Sequence, residues 1–195
     1  MKSTIESVED QLHKVQRLNR TFAVINMAYS ALVHSQSEQE LYRKVCETVT
    51  SQNGFPLAWI GIPIIDDKKS VEVFICAGKA SGYIEGIKVS WGDNPIGNGP
   101  AGRAIRIGKI QFFNNMLSSR RFAPWIDRAK AYNLQSSFSL PIKLSTGQVV
   151  AALMVYSNEA YAFYQDELEL LDQLCKDLGY CVEALRTKNH QLSNQ

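Results

Sequence analysis

The chain has 195 residues, the length of one domain with some to spare, and folding could bury about 70% of its surface. Hydrophobic residues at 45%, charged at 21% and aromatic at 10% exclude a disordered, fibrous or collagen-like chain. Twenty-one Lys plus Arg against nineteen Asp plus Glu leave a formal charge of +2, no electrostatic footprint for nucleic acid or an acidic membrane.

Residues 1–34 contain no Pro or Gly, and apolar residues at Ile5, Val8, Leu12 and Val15, then Leu18, Phe22, Ile25, Tyr29 and Leu32, recur in steps of three and four. That spacing predicts a long amphipathic helix. Two consecutive steps of three around Val15 shift the phase, so the stripe from Ile5 to Val15 is assigned to an exposed coiled-coil seam and the later one to the domain. Ser37 and Glu40 have the capping-box spacing ahead of a second helix that Asn53-Gly54 ends near Gln52.

From Leu57 the pattern turns to strand. Leu57–Ile65 and Val71–Ala77 flank an Asp66-Asp67-Lys68-Lys69 turn and read as a hairpin. Lys109–Phe113 is a short strand, and Ser136–Leu144 with Gln148–Tyr156 form a second hairpin around Ser145-Thr146-Gly147. Between the strand groups lie a glycine-rich stretch from Gly92 to Gly102, a short helix at Ala101–Arg106 and a polar-aromatic helix or loop at Arg120–Tyr132. Pro63 and Pro141 have no amide to donate, so each must mark an edge, a bulge or a strand end; a bulge is expected at Pro141. The last segment, Gln165 to about Lys188, places Leu168, Leu171, Cys175, Leu178, Val182 and Leu185 at heptad spacing and reads as a long helix with a coiled-coil seam. The order of elements predicts an α+β domain with one antiparallel sheet and long N- and C-terminal helices.

Cys46, Cys76, Cys175 and Cys181 form no C-x-x-C pair and read as reduced thiols of a cytoplasmic protein. The longest apolar run, Val149–Tyr156, is too short to cross a bilayer, so no direct membrane insertion is expected of this segment.

The run Gly97-Asn98-Gly99-Pro100-Ala101-Gly102-Arg103 enters the short helix, where free amides and an arginine could seat a small anion or carbonyl. It matches neither a P-loop nor a dinucleotide fingerprint. Arg103, in the first turn, is the better anion partner; Arg106 is either solvated or in contact with ligand. Trp91 and Trp125 fall in the two insertions and either line a pocket or pack a lid on the sheet, while Trp59 in its strand reads as core. Ser137 and Ser139 alternate with Phe138 and share a sheet face. Asp93 lies in the flexible loop, as candidate ligand contact or solvated turn residue. The expected ligand-binding set is therefore Trp91, Asp93, Gly99, Arg103, Trp125, Ser137 and Ser139, converging on one cavity. No catalytic set is expected: His13, His34 and His190 lie at the chain's two ends, so a Ser-His-Asp or Cys-His arrangement has no base, and no His/Cys spacing suggests a metal.

Five motifs in order resemble a bacterial GAF domain: G-N-G-P-A-G-R-A-I-R-I-G-K from Gly97 to Lys109, R-F-A-P-W at Arg121–Trp125, S-S-F-S-L-P-I at Ser136–Ile142, V-V-A-A-L-M-V-Y at Val149–Tyr156 and F-Y-Q-D-E-L-E-L-L from Phe163 to Leu171. The likeness runs from about Leu18 to Leu185. It implies a central antiparallel sheet with helices packed on it, a small-molecule pocket beside the glycine-to-arginine run, and the sensor variety found next to diguanylate cyclase, cyclic-di-GMP phosphodiesterase or histidine kinase domains. The implied organisation is a coiled-coil helix over residues 1–17, a sensor domain over 18–185 and a polar tail or linker over 186–195, with homodimerisation through both terminal helices and an effector domain in the same full-length chain. Heme and bilin are argued against, because no histidine lies in the domain body and no cysteine precedes a histidine; the cofactor is otherwise unknown. Two alternatives stand: a GAF-type free methionine sulfoxide reductase using Cys76, and a structural dimerisation domain with a vestigial pocket.

Overall fold

The computed structural model describes residues 8–52 and 54–193; Ile5 and the first turn of the expected N-terminal seam lie outside them. Helix α1 (Val8–His34) leads into α2 (Glu38–Thr50), which starts as its capping box requires: Ser37 accepts the Glu40 amide at 3.2 Å. The Glu40 carboxylate reaches back to the Gln36 amide at 2.8 Å. The hairpin β1 (Leu57–Pro63) and β2 (Val71–Ala77) follows, then α3 (Pro100–Ile107), β3 (Gln111–Phe113), a 3₁₀ segment at Arg120–Trp125 running into α4 (Ile126–Ala131), the hairpin β4 (Ser136–Lys143) and β5 (Val149–Ser157), and α5 (Gln165–Ser193). Among the described residues the five strands form one antiparallel sheet in the order β2-β1-β5-β4-β3. No described helix is long and apolar enough to cross a membrane.

Strand alternation gives the sheet two faces. Ala58, Ile60, Phe138, Leu140, Leu153 and Val155 point into the core under α1, α2 and α5. Leu57, Trp59, Ala152, Met154 and Tyr156 point the other way, under α3, α4 and the long connections.

The heptad stripe of α5 belongs to this core. Leu171, Cys175, Leu178, Val182 and Leu185 are all buried within the chain itself, which corrects the expectation that they form a seam for another molecule. A helix laid on a sheet buries a stripe of the same three-four spacing that a coiled coil uses, so the pattern alone cannot say which neighbour covers it. In α1 the inward residues are Thr21, Val24, Ile25, Ala28 and Ala31; Phe22 and Tyr29, expected inside, are exposed. The small side chains at Ala28 and Ala31 let α1 lie close on its neighbours.

Polar contacts fix the terminal helices to each other. Glu167 of α5 is buried, accepts the Thr21 hydroxyl at 2.6 Å and lies 3.3 Å from the Arg17 guanidinium. Arg186 grips the Glu38 carboxylate with both arms, at 2.9 and 2.7 Å, and ties α5 to the start of α2.

Pro63 closes β1 as a strand end. Pro141 pairs with Ala152 beyond the last residue that β3 covers, and the bulge expected there comes one step later, between Ile142 and Lys143. A second irregularity lies between Ile60 and Gly61.

Candidate functional site

Cross-strand register sets the floor of the site. One row across the sheet reads Leu57, Tyr156, Ser137, Phe113; the next reads Cys76, Trp59, Met154, Ser139, Gln111. Neighbours in a row share a face, so the hydroxyls of Ser137 and Ser139 point to the side of Trp59 and Tyr156 and not toward the helices. Both serines are fully buried, and neither Oγ has a hydrogen-bond partner. Trp59 Nε1 and the Tyr83 hydroxyl are buried on the same side, facing the Tyr156 hydroxyl. Burial pushes the Tyr156 phenol up to about 12, a shift that the facing Trp59 and Tyr83 groups partly offset.

The roof comes from the two insertions. Gly99, at the entry to α3, lies against the Trp125 ring so closely that a Cβ there would stand 2.5 Å from Cζ3 and 2.7 Å from Cη2. Trp125 is itself held, its Nε1 donating to the Lys88 carbonyl at 3.2 Å, and Arg128 clamps the same lid by donating to the carbonyls of Tyr83 and Glu85 at 2.9 and 2.6 Å. Trp59, Tyr83, Gly99, Phe122, Trp125 and Tyr156 enclose a cavity of about 10 Å³, room for one water at most. The lining is aromatic, with hydroxyl and indole groups as its polar points and no charged side chain.

Five of the seven expected residues meet on this side of the sheet. Gly99 and Trp125 line the cavity, Ser137 and Ser139 are buried on the same sheet face in the rows of Tyr156 and Trp59 without lining it, and Arg103 stands at the end of Ser139's row, where its Nε donates to Gln111 at 3.0 Å. Trp91 and Asp93 do not join them, which corrects the single-cavity expectation. Trp91 donates to the Ile64 carbonyl at 2.9 Å and borders a separate open groove of about 570 Å³ beside Ile107 and Gln148. Asp93 is exposed, 3.8 Å from the Arg106 guanidinium.

Arg106 is turned onto the loop's own carbonyls. Its Nη1 donates to the carbonyls of Trp91, Gly92 and Gly97 at 3.2, 2.6 and 3.0 Å, and its Nη2 to Asn98 at 3.0 Å. The cation ties the glycine loop together, while about a quarter of its side chain, 26%, stays exposed along the groove beside Trp91. Nothing in the sequence singles out Tyr83, Phe122 or Tyr156, and Trp59, a core residue of this face, also borders the cavity. The alternation of β5 could have placed Tyr156 on the serine face; nothing local marks Tyr83, which reaches the site only through the fold.

Cys76 ends the Trp59 row at the sheet edge, and burial pushes its thiol up to about 11. Among the described residues no group of three or more His, Cys, Asp or Glu side chains could hold a metal ion.

The fold is similar to that of free methionine-R-sulfoxide reductase from Neisseria meningitidis, solved with its substrate, at 14% identity and a TM-score of 0.68 over 86% of this chain and 91% of that one. It is similar to the GAF domain of a phosphoenolpyruvate-protein phosphotransferase from Coxiella burnetii at 11% identity and a TM-score of 0.66, covering 88% and 97%. A GAF domain from A. aeolicus in an inactive state matches at 15% identity and a TM-score of 0.62, covering 89% and 99%. At such identities the likeness establishes the fold alone. No curated protein matches the sequence. A family model described as GAF domain matches residues 35–183, from the turn before α2 to late in α5, and the chain belongs to the GAF domain family.

Proposed function

We propose that this GAF module is a non-enzymatic sensor of a small, uncharged molecule, part of a cytoplasmic bacterial signal-transduction protein that dimerises and relays ligand state to an effector domain. One observation carries the reading: two buried polar atoms, the Oγ atoms of Ser137 and Ser139, have no partner on the face that the aromatic lid covers. Leaving a buried donor or acceptor unpaired costs about 1–3 kcal/mol each, and a ligand that supplied the missing bonds would recover that cost. Apolar walls with a few placed polar groups are how small-molecule sites are built. The absence of charge in the lining favours a neutral ligand. At about 10 Å³ the cavity must open to admit it, so binding moves the Gly99–Trp125 contact and, with it, the start of α3.

The test is thermal unfolding of the chain against a panel of neutral heterocycles and hydroxylated aromatic metabolites. A binder at a hundredfold excess over its Kd adds about 2.7 kcal/mol, a Tm rise of several degrees for a chain of this size, and Ser139→Ala should shrink the rise. No shift with any member would favour a structural domain without a ligand, the reading that the near-closed cavity supports. The reductase alternative requires Cys76 as a thiolate, and a thiol pushed up to about 11 opposes that; turnover of free methionine sulfoxide abolished by Cys76→Ser would establish it.

A further inference from the structure

The sheet forks at one end. The β1–β5 ladder stops at the Gly61–Ala152 pair, yet β1 runs on to Pro63 along β2, and β5 begins at Val149 along β4. A register irregularity lies in each arm, between Ile60 and Gly61 and between Ile142 and Lys143, and bulges of this kind bend and twist a strand away from its neighbour. Into the fork opens the groove of about 570 Å³ that Trp91 borders. Its size falls in the range of about 300–1,000 Å³ typical of small-molecule sites, and it shares no lining residue with the aromatic cavity. The arms of the fork give it aliphatic walls, Ile62 and Pro63 on one side and Val149 and Val150 on the other.

We infer that this groove is a second binding site, for a small amphipathic anion: a carboxylate carried on an apolar ring or chain. The charged residues that line it are Arg106 and Arg186, and among the described residues no acidic side chain does so. Arg106 is bonded to four neutral oxygens, and its carboxylate neighbour, Asp93, stands 3.8 Å away and 83% exposed, where solvent screens the pair. Most of its charge is therefore uncompensated. The bonds of Arg106 run through Nη1 and Nη2, and those of Arg186 to Glu38 through Nε and Nη2. Nε of the first and Nη1 of the second remain as donors for a carboxylate. Lys69 adds a third cation, its Nζ 5.1 Å over the Trp91 ring. The carbonyl end of α3, which by itself repels an anion, is met by Lys143, whose Nζ donates to the Gly108 carbonyl at 2.8 Å. For the apolar part of the ligand the groove offers the Trp91 indole and two aliphatic side chains left in water, Ile107 at 47% exposure and Ile65 at 93%. Both recognition groups are fixed before a ligand arrives, Trp91 by its bond to the Ile64 carbonyl at 2.9 Å and Arg106 by the glycine loop, so binding costs little ordering. The inference stands apart from the sensor reading, which rests on the other concavity.

The tryptophans separate the two sites, because Trp91 borders the groove whereas Trp59 and Trp125 line the cavity. Their indole N–H signals in two-dimensional NMR spectra of the full chain, with that of Trp91 assigned by Trp91→Phe, are followed as phenylbutyrate is added. The Trp91 signal should shift saturably with a Kd of about 1 mM or tighter, while those of Trp59 and Trp125 stay in place. Phenylbutanol, the uncharged counterpart, should bind about tenfold more weakly, the worth of one hydrogen bond to a charged group. Ile107→Glu places a carboxylate in the groove at an exposed position and should weaken phenylbutyrate by about tenfold through like charge. Ile65→Glu, at a position almost wholly in water, keeps the test sound should Ile107→Glu fail to fold, and should weaken binding in the same direction. The absence of a saturable Trp91 shift, equal binding of the alcohol, a response carried by Trp59 and Trp125 instead, or full affinity in both glutamate variants each overturns the proposal.

Discussion

The two faces of the sheet are built from the same strands and solve opposite problems. Under α1, α2 and α5 the residues are aliphatic and aromatic, and the polar intruders Thr21 and Glu167 satisfy each other. Under α3, α4 and the connections, serines, tyrosines and tryptophans alternate with small residues, and the Ser137 and Ser139 hydroxyls are buried without partners. One face is optimised for packing. The other carries unmet hydrogen bonds that packing alone would have removed, the expected mark of a surface shaped for something besides stability.

The contrast is broken most severely on the helix face. Leu140→Ala removes a fully buried side chain from the packed layer and should cost about 2–5 kcal/mol in denaturant unfolding, with any ligand-induced shift preserved in size. On the lid face the sign reverses. Ser139→Ala deletes an unpaired hydroxyl and should leave the free protein's stability unchanged or raise it by about 1 kcal/mol in the same measurement; a loss above about 2 kcal/mol would mean that Ser139 is already paired and not waiting for a ligand.

The smallest effect is alkaline. Cys76 keeps its proton in the folded chain up to about 11, against 9.0 for an ordinary thiol, so between those values the unfolded chain has released a proton that the native one holds. Stability therefore falls as pH rises through that window. Tyr156, pushed up to about 12 from 10.0, continues the decline above it. Cys76→Ser should make the drop in Tm between about pH 9 and 11 shallower without removing it, because burial raises the Cys46 and Cys175 thiols too and they hold their protons through the same window, whereas a wild-type Tm that is flat across this range would contradict the burial of these groups.

Local chemistry made much of the fold legible. The capping box at Ser37 and the turn residues between β1 and β2 and between β4 and β5 each act within a few residues, and the strands and helices follow from them. Strand alternation likewise placed Ser137 and Ser139 on one face. The site was less legible, because Tyr83, Phe122 and Tyr156 arrive from three separate stretches of chain and no local pattern connects them.

By itself the sequence determined the order of elements, the antiparallel α+β class and the amphipathic character of both terminal helices, because periodicity and capping are written in neighbouring residues. The tertiary structure alone decided what each apolar stripe faces. Leu178, Val182 and Leu185 share the spacing of a coiled-coil seam yet are covered by their own domain, while Phe22 is exposed on α1 and Tyr29 keeps only its hydroxyl tied, to Asp177 of α5. It also decided that Arg106 binds the glycine loop's carbonyls, and that Trp91 and Trp125 serve different concavities. A period of three and four says that a helix has an apolar face; which surface removes that face from water depends on contacts between segments more than a hundred residues apart.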